Sequence, residues 1–350
     1  MPEQKALYLT EKFGAFSMGT APIYKPGPEE VLVRVEAAGL NPADWIVQSY
    51  GVIVEEYPVI LGIDIAGTIV GLGEGVTRFK KGDRILTGGK IGQSDHGGFQ
   101  QYMLAYDFAT AKIPDEMSFD EAATLTVALC AAMVALYHDG VDAIGGTCGL
   151  TLPWEGRGRG KYQGEPVLVL GGAGSVGQAA IQLLKLSGFS PIITTSSLQN
   201  ADWLKQLGAT HIIDRKLPSE AIGAEIRRIT SKSFTTVFDA AGLPETQNFG
   251  YDLLASGGTM AAVRPDAVQP EKKVEDKKSF FMFGGVSLPQ NRKLGTSFFS
   301  KLTEMLERGD IKPNRIEVVP NGLEGIVPAL GKLKAGVSCV KLVAHPQETV

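Results

Sequence analysis

Cysteine and histidine are scarce in this chain. Its three cysteines, Cys130, Cys148 and Cys339, are odd in number and far apart. That spacing excludes a disulfide framework and a local metal cluster, and it points to a reducing compartment. The four histidines, His96, His138, His211 and His345, show no close pairing of the kind a metal needs. Positive charge is not in excess either: 34 Lys and Arg against 38 Asp and Glu leave a net charge of −4. Such a balance offers no footprint for nucleic acid or for an anionic membrane surface. A long hydrophobic run is missing as well. The longest, Ala122 to Tyr137, is shorter than a membrane span requires and contains Thr124, Thr126 and Cys130, so it reads as a buried helix. The opening residues MPEQKALYLTEKFG have neither a secretion signal's apolar core nor a mitochondrial leader's arginines. Cytoplasmic residence is the expectation.

What is present is the composition of a globular enzyme, with 44% apolar and 21% charged residues over 350 positions. That length suggests two domains. The first 110 residues read as short strands and turns, with Val31 to Val35 alternating apolar and charged positions. A glycine- and charge-rich stretch beginning at Trp154 reads as a solvated loop. Beyond it a βαβ rhythm sets in: a buried strand at Pro166 to Gly171, a helix at Ser175 to Ser187, a strand at Ile192 to Thr195, and a helix at Ala201 to Leu207. Strands follow at His211 to Asp214, Thr236 to Ala240 and Gly258 to Val263. A helix near Phe298 to Arg308 and a strand at Val340 to Ala344 close the chain. The charged segment 266–278 reads as a mobile surface loop.

The segment Gly172-Ala173-Gly174-Ser175-Val176-Gly177 fits G-x-G-x-x-G, and it directly follows an apolar strand and opens a helix. In that context the pattern is a dinucleotide fingerprint. Gly172 permits the tight turn, Gly174 lets the backbone approach a pyrophosphate, and Gly177 lets the helix pack on its strand. The helix N-terminus offers free N–H groups to the phosphates. An NAD site would place a carboxylate about twenty residues on. Here that region reads Thr194-Thr195-Ser196-Ser197, with no carboxylate before Asp202. Ser196 and Ser197 suit a 2′-phosphate, and Arg215 is placed to pair with it, although Asp214 stands beside Arg215. NADPH is the expected cofactor.

The motifs GLNPADW (39–45), LGIDIAG (61–67), GDRI (82–85), GGFQQYMLA, the fingerprint, LGA (207–209), FDAAG (238–242) and VKLVAHP occur in one order that resembles the medium-chain dehydrogenase/reductase family. The resemblance covers nearly the whole chain. It implies an α/β fold: a doubly wound Rossmann parallel sheet domain at 126–287 and a β-rich GroES-like catalytic domain at 1–125, completed by 288–350. The active-site cleft would lie at the domain junction. Within the family, the stretch IKPNRIEVVPNGLEGIVPALGKLKAG is most similar to fungal trans-acting enoyl reductases, which partner polyketide synthases. SSLQN resembles their phosphate loop, whereas quinone oxidoreductases usually carry a lysine where Asn200 stands.

Zinc-dependent members use a Cys and a His at two motifs readable here. The Cys position looks like Asn41, and the Gly-His-Glu motif reads Gly62-Ile63-Asp64, so neither first-named ligand remains. Residues 85–115 contain no cysteine, so the structural four-cysteine lobe is absent. The resemblance thus implies a zinc-free enzyme. Without a Lewis acid, the suitable chemistry is hydride addition to the β-carbon of a double bond conjugated to a carbonyl, followed by protonation at the α-carbon. Tyr50 resembles the tyrosine of mitochondrial-type enoyl reductases and is the candidate proton donor, the alternatives being water and a merely pocket-lining role. By the same resemblance Asn41 stands near the nicotinamide ribose and Cys130 replaces a threonine of quinone reductases. Ala241, Gly242, Phe283, Gly284 and Gly285 would flank the nicotinamide end. The expected activity is that of an enoyl, enal or enone reductase acting on an α,β-unsaturated carbonyl. An NADPH-dependent quinone reductase and a non-catalytic NADPH-binding protein are the alternatives.

Overall fold

The computed structural model describes residues 2–350. The chain forms two compact units. One comprises residues up to Val127 together with Gly295–Glu307 and Pro313–Val350; the other comprises Ala128–Leu294 and Arg308–Lys312.

The first unit is β-rich. Strand Glu30–Gly39 buries Val31, Val33 and Val35 in strict alternation with half-buried positions, as a strand with one covered face does. Its last residues, Ala37 to Gly39, are all buried. It lies within a seven-stranded sheet, between strands Lys341–Ala344 and Asp64–Leu72, with Tyr102–Tyr106 pairing its other half. A three-stranded sheet of Phe16–Pro22, Glu3–Leu9 and Val59–Ile60 completes the unit. Helix Pro42–Tyr50 begins just after the central strand, with Asn41 as its N-cap and Pro42 at its first position, where a missing N–H costs nothing.

The second unit is a six-stranded, wholly parallel sheet. Its strands are Val167–Leu170, Ile192–Ser196, His211–Asp214, Phe234–Asp239, Leu254–Ala262 and Lys278–Phe281. Numbered along the chain, their order across the sheet is 3-2-1-4-5-6. This is the doubly wound arrangement, in which the strand order reverses between Val167–Leu170 and Phe234–Asp239. Val167, Leu168 and Val169 are fully buried, as a strand covered on both faces requires.

Two expectations need correction. The segment 266–278 was read as a mobile loop, yet it carries a helical turn at Pro270–Lys272 and leads into the sixth strand, Lys278–Phe281. Ion pairs of Lys272 with Asp252 and Lys273 with Asp266 partner some of its charges, while Glu271, Glu275 and Asp276 stay exposed at the surface. The apolar run was read as too short for a membrane. With the turn before it, Phe119–Tyr137 reaches 19 residues and is long and apolar enough by composition, and 78% of its apolar window is buried within the protein.

Candidate functional site

Open parallel sheets bind ligands outside the carboxyl ends of their strands, where the strand order reverses. Here that point is framed by the loop after Val167–Leu170 and by the turn after Phe234–Asp239. The first is the glycine-rich loop. Its sharp turn is made by Gly171, at φ +77°, and not by Gly172 as expected. Gly172 is needed for a different reason: a side chain there would collide with the hydroxyl of Thr194 on the neighbouring strand. At Gly177 a Cβ would lie 2.5 Å from the Gly171 carbonyl oxygen and 2.8 Å from the Gly172 Cα, so the helix packs on the loop backbone to backbone. Gly174 differs. A Cβ there would meet nothing nearer than 3.6 Å, and its φ of −68° suits any residue. Nothing inside the protein requires a glycine at this exposed position, whereas a ligand approaching the backbone would.

Helix Ser175–Ser187 starts at Gly174, which has no side chain to cap it. The first-turn amides of Ser175, Val176 and Gly177 have no intrahelical acceptors, an arrangement that suits an anion. The loop itself is held from below. Thr195 accepts from the Gly171 N–H through its hydroxyl at 3.1 Å and from the Gly172 N–H through its carbonyl at 3.1 Å. Gln178 donates to the Ala173 carbonyl at 2.9 Å.

At the end of strand Ile192–Ser196 the expected phosphate contacts separate into two kinds. Ser196 is 1% exposed and its hydroxyl turns to the Ser197 carbonyl at 3.2 Å. It is therefore not presented outward. Ser197 is half-buried, and its hydroxyl accepts from Nε of the exposed Arg215 at 3.1 Å. The Arg215 backbone N–H donates to the Ser196 carbonyl at 3.0 Å, which fixes the two strand ends together. Asp214 is occupied with the Lys216 N–H at 3.1 Å and makes no bond to Arg215.

The turn after Phe234–Asp239 is organised by a residue that sequence reasoning quoted without a role. Asp239 is fully buried and accepts from the N–H groups of Ala241 and Gly242, each at 2.9 Å, and from the Thr246 hydroxyl at 2.7 Å. Burial pushes its carboxyl above the usual range, against those hydrogen bonds. The signal was available: an Asp followed by small residues and a Gly at φ +64° is a turn held by its own side chain. Phe283, Gly284 and Gly285 lie against the buried helix Thr126–Tyr137. A Cβ on Gly284 would come within 2.6 Å of the Ala131 Cα and 3.1 Å of the Cys130 carbonyl carbon. The structure thus brings Cys130, which is 5% exposed, beside Gly284.

A second cluster lies at the edge of the β-rich unit. Asn41, Asp64 and Lys341 are all buried. The Lys341 ammonium donates at 2.6 Å to Oδ1 of Asn41 and at 2.6 Å to Oδ2 of Asp64. The Asn41 amide donates at 3.1 Å to the same Asp64 oxygen and at 3.2 Å to the Gly39 carbonyl. Asp64 accepts at its other oxygen from the Val127 N–H at 2.7 Å. Asp44, also buried, accepts from the Asn41 backbone N–H at 2.8 Å. Its carboxyl is pushed up to about 7, chiefly by burial. Tyr50, by contrast, ends helix Pro42–Tyr50 at 63% exposure, and no hydrogen bond of its hydroxyl is found among the described residues. Asn41 caps the start of this nine-residue helix and Tyr50 is its last residue, about 13 Å away along the axis.

Comparison with known proteins matches this geometry. Residues 27–115 fit the alcohol dehydrogenase GroES-like domain, and residues 175–306 fit the zinc-binding dehydrogenase domain. The trans-enoyl reductase FMN2 of Fusarium mangiferae is 33% identical, over 95% of this chain and 96% of its own length. The chain belongs to the medium-chain dehydrogenase/reductase family. The dehydrogenase azaJ of Aspergillus niger, also 33% identical, covers 98% of this chain with 99% of its own. Among solved structures, the quinone oxidoreductase of Coxiella burnetii superposes with a TM-score of 0.72 at 24% identity, covering 98% of this chain and 99% of its own, which bears on the fold alone.

As a medium-chain dehydrogenase/reductase the chain binds a nicotinamide cofactor, and the cradle fits one: a collision-free Gly174, unpaired amides at a helix start, and a strand end without a carboxylate. A metal is another matter. Among the described residues no group of three or more His, Cys, Asp or Glu is placed to hold an ion. Lys341, the residue that completes the second cluster, was not anticipated from sequence. It lies 300 positions from Asn41, and no local pattern announces it.

Proposed function

We propose that this chain is an NADPH-dependent, zinc-independent reductase of carbon–carbon double bonds conjugated to a carbonyl. The observation that carries the reading is the trans-enoyl reductase FMN2, which aligns with 95% of the chain at 33% identity. NADPH over NADH is supported by the strand end that offers Ser197 and the Arg215 guanidinium where an NAD site needs a carboxylate. Zinc independence is supported by the Lys341 ammonium, which lies between Asn41 and Asp64 and supplies the positive charge there itself.

When bound, NADPH supplies hydride to the β-carbon of the substrate. The protein's own residues bind and orient. The amides of Ser175, Val176 and Gly177 hold the pyrophosphate, with Gly172, Ala173 and Gly174 giving the backbone its close approach. Ser197 and Arg215 take the 2′-phosphate, and Ser196 supports them from beneath. Asn41 contacts the nicotinamide ribose, while Cys130, Ala241, Gly242 and Phe283–Gly285 line the nicotinamide end. The negative charge that develops on the carbonyl oxygen is relieved as the α-carbon takes a proton from the Tyr50 hydroxyl or from water. A polyketide-synthase-type partner in the cytoplasm would deliver the unsaturated chain.

The test is product analysis by mass spectrometry with NADPH deuterated at C4 and a mixed panel of enals, enones and quinones. Deuterium at the β-carbon of a saturated carbonyl is the expected result. Hydroquinone formation without a labelled saturated carbonyl would transfer the assignment to quinone reduction. Binding without turnover of any acceptor would make the chain a non-catalytic NADPH-binding protein.

A further inference from the structure

We infer that Lys341 is a positioning residue for the cofactor: its ammonium locks the side-chain amide of Asn41 so that Asn41 presents an acceptor oxygen and no donor. The inference rests on the reading of Asn41 as a contact of the nicotinamide ribose.

The lock follows from counting hydrogen bonds. A side-chain amide has two N–H donors and one oxygen with two lone pairs. Both Asn41 donors are spent, on the Gly39 carbonyl and on Asp64, and one lone pair accepts from Lys341. One lone pair remains. Rotating the amide by half a turn would point its NH2 at the ammonium and its oxygen at the Asp64 carboxylate, setting like against like at both ends. The choice between two orientations that an amide ordinarily has is therefore removed by charge. Asp64 and the Gly39 carbonyl already hold the donor side, and Lys341 adds the hold on the oxygen side.

Backbone design supports the same conclusion. Lys341 opens strand Lys341–Ala344, Val343 of that strand pairs with Gly39, and Gly39 pairs with Asp64, which opens the next strand. The lysine reaches Asp64 by crossing Gly39. A Cβ at Gly39 would stand 2.1 Å from the Ala123 carbonyl oxygen, 3.0 Å from the Lys341 Cε and 3.1 Å from the Asp64 Cβ. The glycine is required first by the Ala123 backbone, and its missing side chain also keeps the lysine's path open. Lys341 and Asp64 also cancel each other's charge, so the remaining Asn41 lone pair belongs to a neutral cluster. Such an acceptor selects a hydroxyl, as on a ribose, and disfavours a phosphate or carbonyl oxygen.

A lysine that merely fastened two strands would affect stability without acting through Asn41. A double-mutant cycle on the full chain separates the two roles, with NADPH dissociation constants read from nicotinamide fluorescence and melting temperatures taken in parallel. Lys341→Met alone strands the Asp64 carboxylate, so the cycle uses Asp64→Asn/Lys341→Met, which removes both charges and leaves the Gly39 carbonyl to orient the amide without the ammonium. Asn41→Ala is expected to weaken NADPH about tenfold, and the charge-free pair by about three- to tenfold. Adding that pair to Asn41→Ala is then expected to cost less than about a further twofold, since the lysine acts through the asparagine. Losses that multiply, or full NADPH affinity in the charge-free pair, overturn the inference while leaving the proposed reductase standing. An unaltered chain that binds no nicotinamide nucleotide overturns both.

Discussion

The two clusters of this protein are built by opposite means. The cradle at Gly171–Gly177 consists of backbone amides and of side chains that are missing. The cluster at Asn41, Asp64 and Lys341 consists of a buried ion pair and an amide bonded to one another. A site made of backbone is intolerant of added atoms and indifferent to pH. A site made of buried charges accommodates small changes of shape but fails when one partner is removed or changes its protonation. The contrast says how each can be broken.

The largest effect is expected from adding atoms to the cradle. Gly177→Val forces a branched side chain against the Gly171 carbonyl oxygen, which a Cβ alone approaches to 2.5 Å. Overpacking of this kind costs about 1–3 kcal/mol of stability. Displacement of the loop should weaken NADPH on the order of a hundredfold, about 2.7 kcal/mol. Gly174→Ala sharpens the point, because its Cβ has 3.6 Å of clearance from the protein. It should melt with the parent yet lose about tenfold in NADPH affinity, because only a ligand meets the added methyl. Parental NADPH affinity in Gly174→Ala would remove the pyrophosphate from this face of the loop.

Next comes the one charge in the cofactor unit that is proposed to touch the ligand. Arg215→Ala removes the exposed guanidinium that donates to Ser197. A charge-assisted hydrogen bond is worth about 1.5–3 kcal/mol, so NADPH affinity should fall about 10- to 100-fold while NADH affinity stays level. Titrating both nucleotides by fluorescence reads the ratio. Equal losses for NADH and NADPH would place Arg215 outside the 2′-phosphate site.

The same contrast explains what could be read from sequence. The cradle was legible because its determinants are contiguous: three glycines, the strand before them and the helix after them all lie within Val167–Ser187. Even so, sequence placed the tight turn at Gly172. A spacing rule cannot tell a glycine needed for its positive φ, which is Gly171, from one needed because Thr194 fills the space of a side chain. Ser196 and Ser197 looked equivalent for a related reason. Ser196 is the last residue of its strand and Ser197 the first beyond it, and only the folded chain shows that the Ser197 hydroxyl meets Arg215. Lys341 was not legible at all. Its role depends on three strand ends meeting, an event of topology. The sixth strand, Lys278–Phe281, was hidden by the charges that precede it, some of which ion pairs neutralise only in the folded chain.

A smaller effect, and one confined to the charged region, concerns pH. The Asp44 carboxyl is held at about 7, above its ordinary 3.8, because burial penalises its ionised form. The folded state therefore holds this proton more tightly than the unfolded chain does. That contribution to stability is fully present below pH 4 or so, and it is lost as pH rises through about 7. Asp44→Asn keeps an oxygen for the Asn41 N–H and cannot ionise. Thermal melts between pH 5 and 8 should show the parent's melting temperature declining across neutrality more steeply than the variant's. Parallel profiles would show that Asp44 is ionised throughout, with its backbone hydrogen bonds outweighing burial.

The smallest effect is expected at Tyr50, where sequence reasoning set the proton donor. A general acid that matters is held in place, and the Asn41 cluster shows how firmly this unit can hold a side chain. Tyr50 receives no such support. It is 63% exposed, its hydroxyl has no hydrogen-bond partner among the described residues, and the Trp45 ring sits 6.3 Å away at an oblique 51°. An unheld phenol competes with bulk water for the same proton transfer, and positioned general acids contribute 10²- to 10⁴-fold only when their geometry is fixed. Tyr50→Phe should therefore lower turnover on enones by no more than about threefold, with the pH profile unchanged. A loss of a hundredfold or more, at unchanged NADPH affinity, would mean that substrate binding orders this tyrosine, and it would restore Tyr50 as the catalytic donor.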